Sequence, residues 1–412
     1  MKRLLYLIIA FSVQNSLSYG QTVENVDAVS NQISIGIRDS ISSEILGEDR
    51  EIWVHVPRSS IYGFKYPVIY LFDGEFHFES VVGIVRSNAI SRLIPEMIIV
   101  AIPNTNRLRD LTTSHTGDGS NPSGGAENFT KFIEDELIPH IDANYPTTPH
   151  RTLIGHSLGG LVVANTFINH SHLFENYLAI DPSLGWDNQK LLNQGKTLLT
   201  DNDYGKKSMY IAIANTINNG DETDMTFETA LKDSTSNTLH LRSIHEFSEL
   251  TKSNNQINSE WNYYPNETHG TAPIVATHHA LRFFFAWYKF EHWSEFYAPE
   301  PKLTGEELVG LIVSHHEKIS AELKHTFLPD EYEINNLAYM FLGKGDYERA
   351  FPFFKLNIQN YPTSANAYDS MGDYYNSISD TTNAIKYFTK SLELGEVQGT
   401  KEKLNELKEG KK

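Results

Sequence analysis

The stretch LIGHSLGGLVV, Leu153 to Val163, holds one serine among three glycines with apolar residues on both sides. An apolar, β-type run ends at Gly155, Ser157 stands at the turn, and LVVANTFI (161–168) continues at helix length. Gly155-His156-Ser157-Leu158-Gly159 fits the G-x-S-x-G nucleophile elbow, in which the chain turns sharply from strand to helix and presents a serine on a strained backbone. The glycines remove side chains where strand and helix pass closest, and Gly160 extends that clearance. The bare pattern arises by chance in roughly one chain in ten of this length. The strand before it and the helix after it therefore carry the assignment of Ser157 as a nucleophile.

Working outward, PVIYLFDG (67–74), EMIIVAIP (96–103), RTLIG (151–155), NYLAIDP (176–182) and SMYIAIAN (208–215) are short apolar runs, mostly parted by helix-length segments. Such runs alternating with helices predict a doubly wound, mostly parallel α/β sheet covered on both faces. Ahead of them, residues 33–57 read as strand, turn, strand. In this architecture ligands bind beyond the carboxyl ends of the strands, so chemistry is expected just after each run.

A serine hydroxyl needs a neighbouring base, normally a histidine held by a carboxylate. Of 17 histidines, His156 sits in the elbow, and His240 and His245 lie well before the last strand-like run. His278 and His279 fall in a helical stretch, and His315 and His316 lie in a different region of the chain. His269 follows EWNYYP (260–265) and precedes a long apolar helix with Pro273 in its first turn, which makes it the expected base. For the acid, the loop after SMYIAIAN offers Asp221, Glu222 and Asp224, with Asp221 preferred. Asp181, ending NYLAIDP one strand earlier, is the rival. The oxyanion donors are expected to be the backbone N–H groups of Leu158, opening the helix after the serine, and of Glu75, following the Asp73-Gly74 turn.

The formal net charge of −18 disfavours nucleic acid and anionic membrane surfaces as partners. The chain has no cysteine, hence no disulfide, no thiolate nucleophile and no cysteine metal site. With no H-E-x-x-H either, no metal and no cofactor are expected. Residues 1–20 combine Lys2 and Arg3, an apolar stretch from Leu4 to Val13 and small residues at Ser18 and Gly20, which reads as an export signal and a periplasmic or secreted destination. Beyond it no run approaches a membrane span of 18 or more residues, so none is expected in the mature chain.

After about residue 298 the strand-like runs vanish. Leu337, Ala338, Phe341, Ala350 and Phe354 recur 34 residues on as Met371, Gly372, Tyr375, Ala384 and Phe388, large residues where two helices meet and small ones where backbones approach. This resembles the tetratricopeptide repeat. The expected organisation is a signal (1–20), an α/β domain (21–298) and a small all-α repeat region (299–412). Two units are few for independent stability, so the repeats are expected to pack on residues 305–323 or on the α/β domain, at its mouth or flank.

Taken with VIYLFDG, residues 106–160, AIDPSLGWDN and ETHGTAPIVATHHALRFFF, the α/β domain resembles the putative esterase family of α/β hydrolases. That family includes enterochelin and other siderophore esterases, feruloyl esterase domains, esterase D and mycolyl transferases. The resemblance implies that Ser157 and His269 are nucleophile and base, that Glu75 gives an oxyanion amide, and that Trp186 lines the substrate pocket. Gly74 and His156 are expected to border the substrate beside it. The expected activity is hydrolysis of a small-molecule carboxylic ester, of siderophore, acyl or feruloyl type. The alternative is an inactive hydrolase-fold protein whose repeats bind a protein partner. The loop from Asn104 to Gly125 is expected on the substrate side, with Arg107 and Arg109 either meeting an anionic ligand or pairing with acids such as Asp110.

Overall fold

The structure is a computed structural model that describes residues 33–57, 64–116, 122–217, 225–298 and 302–410. Eight strands form one sheet in the order β1-β2-β4-β3-β5-β6-β7-β8. β1 (Ile37–Ser43) and β2 (Glu48–His55) form the expected hairpin, and β2 runs antiparallel to β4 (Ile98–Ile102). From β4 through β3 (Tyr66–Phe72), β5 (Thr147–His156), β6 (Asn176–Ile180), β7 (Ser208–Ala214) and β8 (Asn258–Tyr264) all pairs are parallel. This is the doubly wound α/β sheet read from the sequence.

The apolar runs are continuous because both faces of the sheet are covered. Val68, Tyr70 and Phe72 of β3 enter one core, with the helices Leu158–Asn169, Trp186–Asp201 and Leu239–Ser253. Ile69 and Leu71 enter the other, under Gly74–Ile90 and Ala272–Phe284. The chain runs from β3 outward to β4 and then returns to place β5 on the other side of β3. The order therefore reverses between β3 and β5, and the crevice at their carboxyl ends is where an open α/β sheet receives its ligand.

The C-terminal region is helical throughout its described residues. Glu331–Gly343 pairs with Tyr347–Asn360, and Ala365–Ser377 with Thr381–Leu394, as the repeat spacing predicts. The ring of Phe388 lies directly against Gly372. The tail helix Thr400–Lys408 is tied down by Thr400 and Lys403, both bonded to the buried Asp369. Gly305–Leu323 packs on the first pair, and Phe290, Trp293 and Phe296, ahead of residue 299, already belong to this helical core.

This region docks at the amino ends of the strands, away from the crevice. Phe327 meets Phe64 just before β3, with ring centroids 5.2 Å apart, and Lys324 bonds Glu175 just before β6 at 2.6 Å. An ion pair joins Arg92 to Glu333. The repeats therefore flank the sheet and do not cover its mouth. Among the described residues no helix is long and apolar enough to cross a membrane.

His150, early in β5, is buried near this junction against Phe285 and Trp287. Burial pushes its imidazole from the ordinary 6.5 down to about 4. Unfolded chains take up a proton near pH 6.5 that the folded chain refuses until about pH 4, so stability is complete above that window and falls as the pH drops through it. Replacing His150 with Leu should flatten the fall in thermal midpoint between pH 7 and pH 4.5, a share on the order of 3 kcal/mol at the acid limit. An unchanged pH slope in the variant would contradict this origin.

Candidate active site

Ser157 sits on the turn from β5 into the helix Leu158–Asn169 with φ 59° and ψ −115°, a region that L residues rarely occupy. The strained turn is held by its own backbone: Ser157 N–H donates to Ile180 O at 2.9 Å, and Ser157 O accepts from Leu161 and Ser183 at 3.0 Å. A Cβ on Gly155 would stand 2.4 Å from the Gly159 backbone, and one on Gly160 would stand 3.0 Å from Pro182. Strand, elbow and helix can close on each other only with glycine there, as the sequence implied.

His269 lies in the loop after β8. Its Nδ1 is 2.5 Å from Oδ2 of Asp181, which ends β6 next to Ser157's strand. Its ring lies 4.4 Å from that of His156, the residue before the nucleophile. The turn that carries the serine, the histidine and a carboxylate thus lie at one rim of the sheet. Ser157 Oγ itself is hydrogen-bonded to Ser183 Oγ at 3.3 Å.

The acid on His269 is Asp181, the rival of the sequence reading. Asp221, preferred there, lies with Glu222 and Asp224 outside the described residues. Asp181 has no solvent exposure and a φ of 42°, and its Oδ1 accepts the Ala214 N–H of β7 at 3.0 Å. Burial alone would raise its pKa, but the hydrogen bonds from His240, His269 and the Ala214 N–H outweigh it and hold the carboxyl well below the usual range. Because the ionised carboxylate only accepts, His269 carries its proton on Nδ1 and keeps a lone pair on Nε2, the form that a general base needs.

His240, discounted on its place in the chain, is a correction. It is the second residue of Leu239–Ser253, and its Nε2 stands 3.0 Å from the same Asp181 Oδ2. Its chain position carried no hint of this, because the contact joins residues 59 positions apart.

The oxyanion candidates occupy matching places. Leu158 and Glu75 lie in the first turns of helices beginning at the carboxyl ends of β5 and β3, where N–H groups lack partners within the helix. Asp73, at φ 54°, makes the turn before Gly74 and is itself buried. Arg107 grips it with Nε to Oδ1 at 2.7 Å and Nη2 to Oδ2 at 2.9 Å, and Asn104 bonds both Asp73 and the Glu75 carboxylate. Arg109 bonds Asp110 at 2.6 Å and Glu48 at 2.7 Å. Both arginines therefore fix the loop. Burial, with His269 and His77 nearby, pushes the His156 imidazole down to about 4, so it is neutral at pH 7.

Trp186 donates from Nε1 to Ser114 O at 3.2 Å, and Ser114 Oγ donates to Asp187 Oδ2 at 2.6 Å. The loop from Asn104 is thereby tied to the segment carrying Ser183. Asp187, Asn188 and Gln189 make a left-handed turn into the helix beyond.

The family described as "Putative esterase" matches residues 43–284. The chain belongs to that family. Among curated relatives in which esterases are named, the chain is 34% identical over 149 residues to the ferri-bacillibactin esterase BesA of Bacillus subtilis, 31% of this chain and 52% of that one. It is 28% identical over 159 residues to the apo-salmochelin esterase of Escherichia coli, 35% of this chain and 49% of that one. The chain spans about half the length of these relatives. A solved IroE-like serine hydrolase from Shewanella oneidensis is 26% identical, with a TM-score of 0.62 over 79% of this chain and 99% of its own. An uncharacterised protein from Capnocytophaga ochracea, 18% identical, shares the fold with a TM-score of 0.62 over 90% of this chain and 99% of its own, a span reaching into the helical region.

Replacing Arg107 with Met leaves the buried Asp73 carboxylate without its bidentate partner, at a cost of about 1–3 kcal/mol. The expected result is a lower thermal midpoint together with slower ester turnover, because the turn between Asp73 and Glu75 at the crevice is released. A variant as stable and as active as the parent would remove Arg107 from this role.

Proposed function

We propose that this protein is a serine esterase that cleaves carboxylic esters through an acyl-enzyme, with Ser157, His269 and Asp181 as nucleophile, base and acid. The observation that carries the reading is Asp181 Oδ2 on His269 Nδ1, beside the strained Ser157 turn at the switch point of the sheet. Ser157 Oγ turns from Ser183 to His269 Nε2 and gives up its proton as it attacks the ester carbonyl. The N–H groups of Leu158 and Glu75 take the oxyanion, a pair of donors worth several kcal/mol in such sites, at roughly 3–4 kcal/mol each. His269 returns the proton to the leaving alcohol, and water, activated by the same imidazole, then releases the acid.

A siderophore-type ester is the proposed substrate class. It is supported by the names of the relatives that share this domain, a ferri-bacillibactin esterase and an apo-salmochelin esterase. The charged, apolar and small-residue order of positions 1–20 supports work outside the cytoplasm.

Ser157→Ala should abolish hydrolysis of a p-nitrophenyl ester and labelling by a fluorophosphonate, with the thermal midpoint within about 2 °C of the parent. Surviving turnover would end the proposal. Asp181→Asn keeps the shape but offers His269 a donor as well as an acceptor, and kcat should fall roughly 10³–10⁴-fold. The same substitution at Asp221 separates the two acids: there kcat is expected to stay within about threefold of the parent.

A further inference from the structure

One carboxylate oxygen carries two imidazoles here, one more than a hydrolytic base requires. Asp181, His240 and His269 each offer one ligand atom, and these atoms lie within 4.8 Å of one another. The carboxylate has no solvent exposure, whereas the His240 and His269 side chains are 31% and 43% exposed. The cluster is thus rigid at the back and open to solvent at the front. Two imidazole nitrogens and one carboxylate oxygen with an open side form the donor set of three-ligand zinc sites and of the 2-His-1-carboxylate triad.

We propose that Asp181, His240 and His269 bind a divalent transition-metal ion, zinc being the ion to try first, and that its binding reversibly silences the esterase. The regulatory half of this rests on His269 being the base. An ion about 2.1 Å from each ligand atom sets those atoms about 3–3.4 Å apart. Oδ2 now lies 2.5 Å from His269 Nδ1 and 3.0 Å from His240 Nε2, and all three ligand atoms lie within 4.8 Å of one another, so ring shifts of about 1–1.5 Å complete the set. Asp181 stays in place, because Ala214 holds its other oxygen.

The proton inventory explains the silencing. Without metal, each ring carries its proton on the nitrogen facing Asp181. A neutral imidazole binds a metal through a lone pair, so the protons move through solvent to Nε2 of His269 and Nδ1 of His240, and the protein gains and loses none. His269 Nε2 then bears a hydrogen and cannot accept the proton of Ser157. The ion touches neither the serine nor the oxyanion donors, so kcat falls while KM stays as it was.

Calorimetric titration of full-length Ser157→Ala protein with zinc chloride at pH 7.5 should find one zinc per chain. Affinity should be weaker by at least roughly tenfold when His240→Gln is added. In the active enzyme zinc should lower kcat at constant KM, and chelation should restore it. Equal affinity with and without His240, or no binding by the Ser157→Ala protein, overturns the site. Should the double variant not fold, the zinc anomalous signal in crystals of the Ser157→Ala protein decides: a peak between the three side chains supports the site and a peak elsewhere refutes it. Because the titration follows binding in a protein that cannot turn over, an inactive wild type would sink the esterase reading and leave the metal site standing.

Discussion

A buried carboxylate joins four separate pieces of this chain. Asp181 ends β6, takes an N–H from β7 on one oxygen, and gathers on the other an imidazole from a helix and an imidazole from the loop after β8. An ion with no solvent exposure is tolerated only when its lone pairs are filled by donors. That requirement fixes the spacing of the strand ends and sets the tautomer of His269. It also brings the loop after the last strand against His156, the residue before the serine. Its own backbone is in a left-handed conformation, and its N–H bonds Ala212 O at 2.8 Å, so the strand cannot relax without releasing the acid.

The Ser157 side is built by steric closeness. Glycines at 155 and 160 let β5, the elbow and the next helix press together, and the neighbouring strand supplies Ile180 O to hold the Ser157 N–H. On the far side of the switch point Asp73 is turned and clamped by Arg107 and Asn104, which readies the first N–H groups of the helix over β3. The two halves of the site therefore obey different physics: backbone packing on one flank, buried ion pairing on the other.

The middle of the sheet was legible because β3, β4, β6 and β7 are nearly unbroken apolar runs, as strands covered on both faces are. Ser157 was legible because three glycines around it have a steric cause, and His269 because the chain order and Pro273 mark the loop ahead of the last helix of the sheet. The sequence preferred Asp221 over Asp181, since both β6 and β7 lead into acidic residues; among the described residues Asp181 lies on the imidazole. A charged residue directly after four apolar ones, as in YLAID, was the signal available for Asp181. His240 was invisible: its contact spans 59 residues and no local pattern marks it. Arg107 and Arg109 were read as ligand contacts or internal partners, and the buried carboxylates Asp73 and Asp110 made them the latter.

The helical region takes the opposite end of the sheet, where Phe327 and Lys324 close over the strand beginnings. The helices thus occupy one pole of the molecule, and the crevice at the carboxyl ends of the strands opens at the other. Tethering this protein to a surface or to another polypeptide through its C-terminal helices would leave that crevice facing outward.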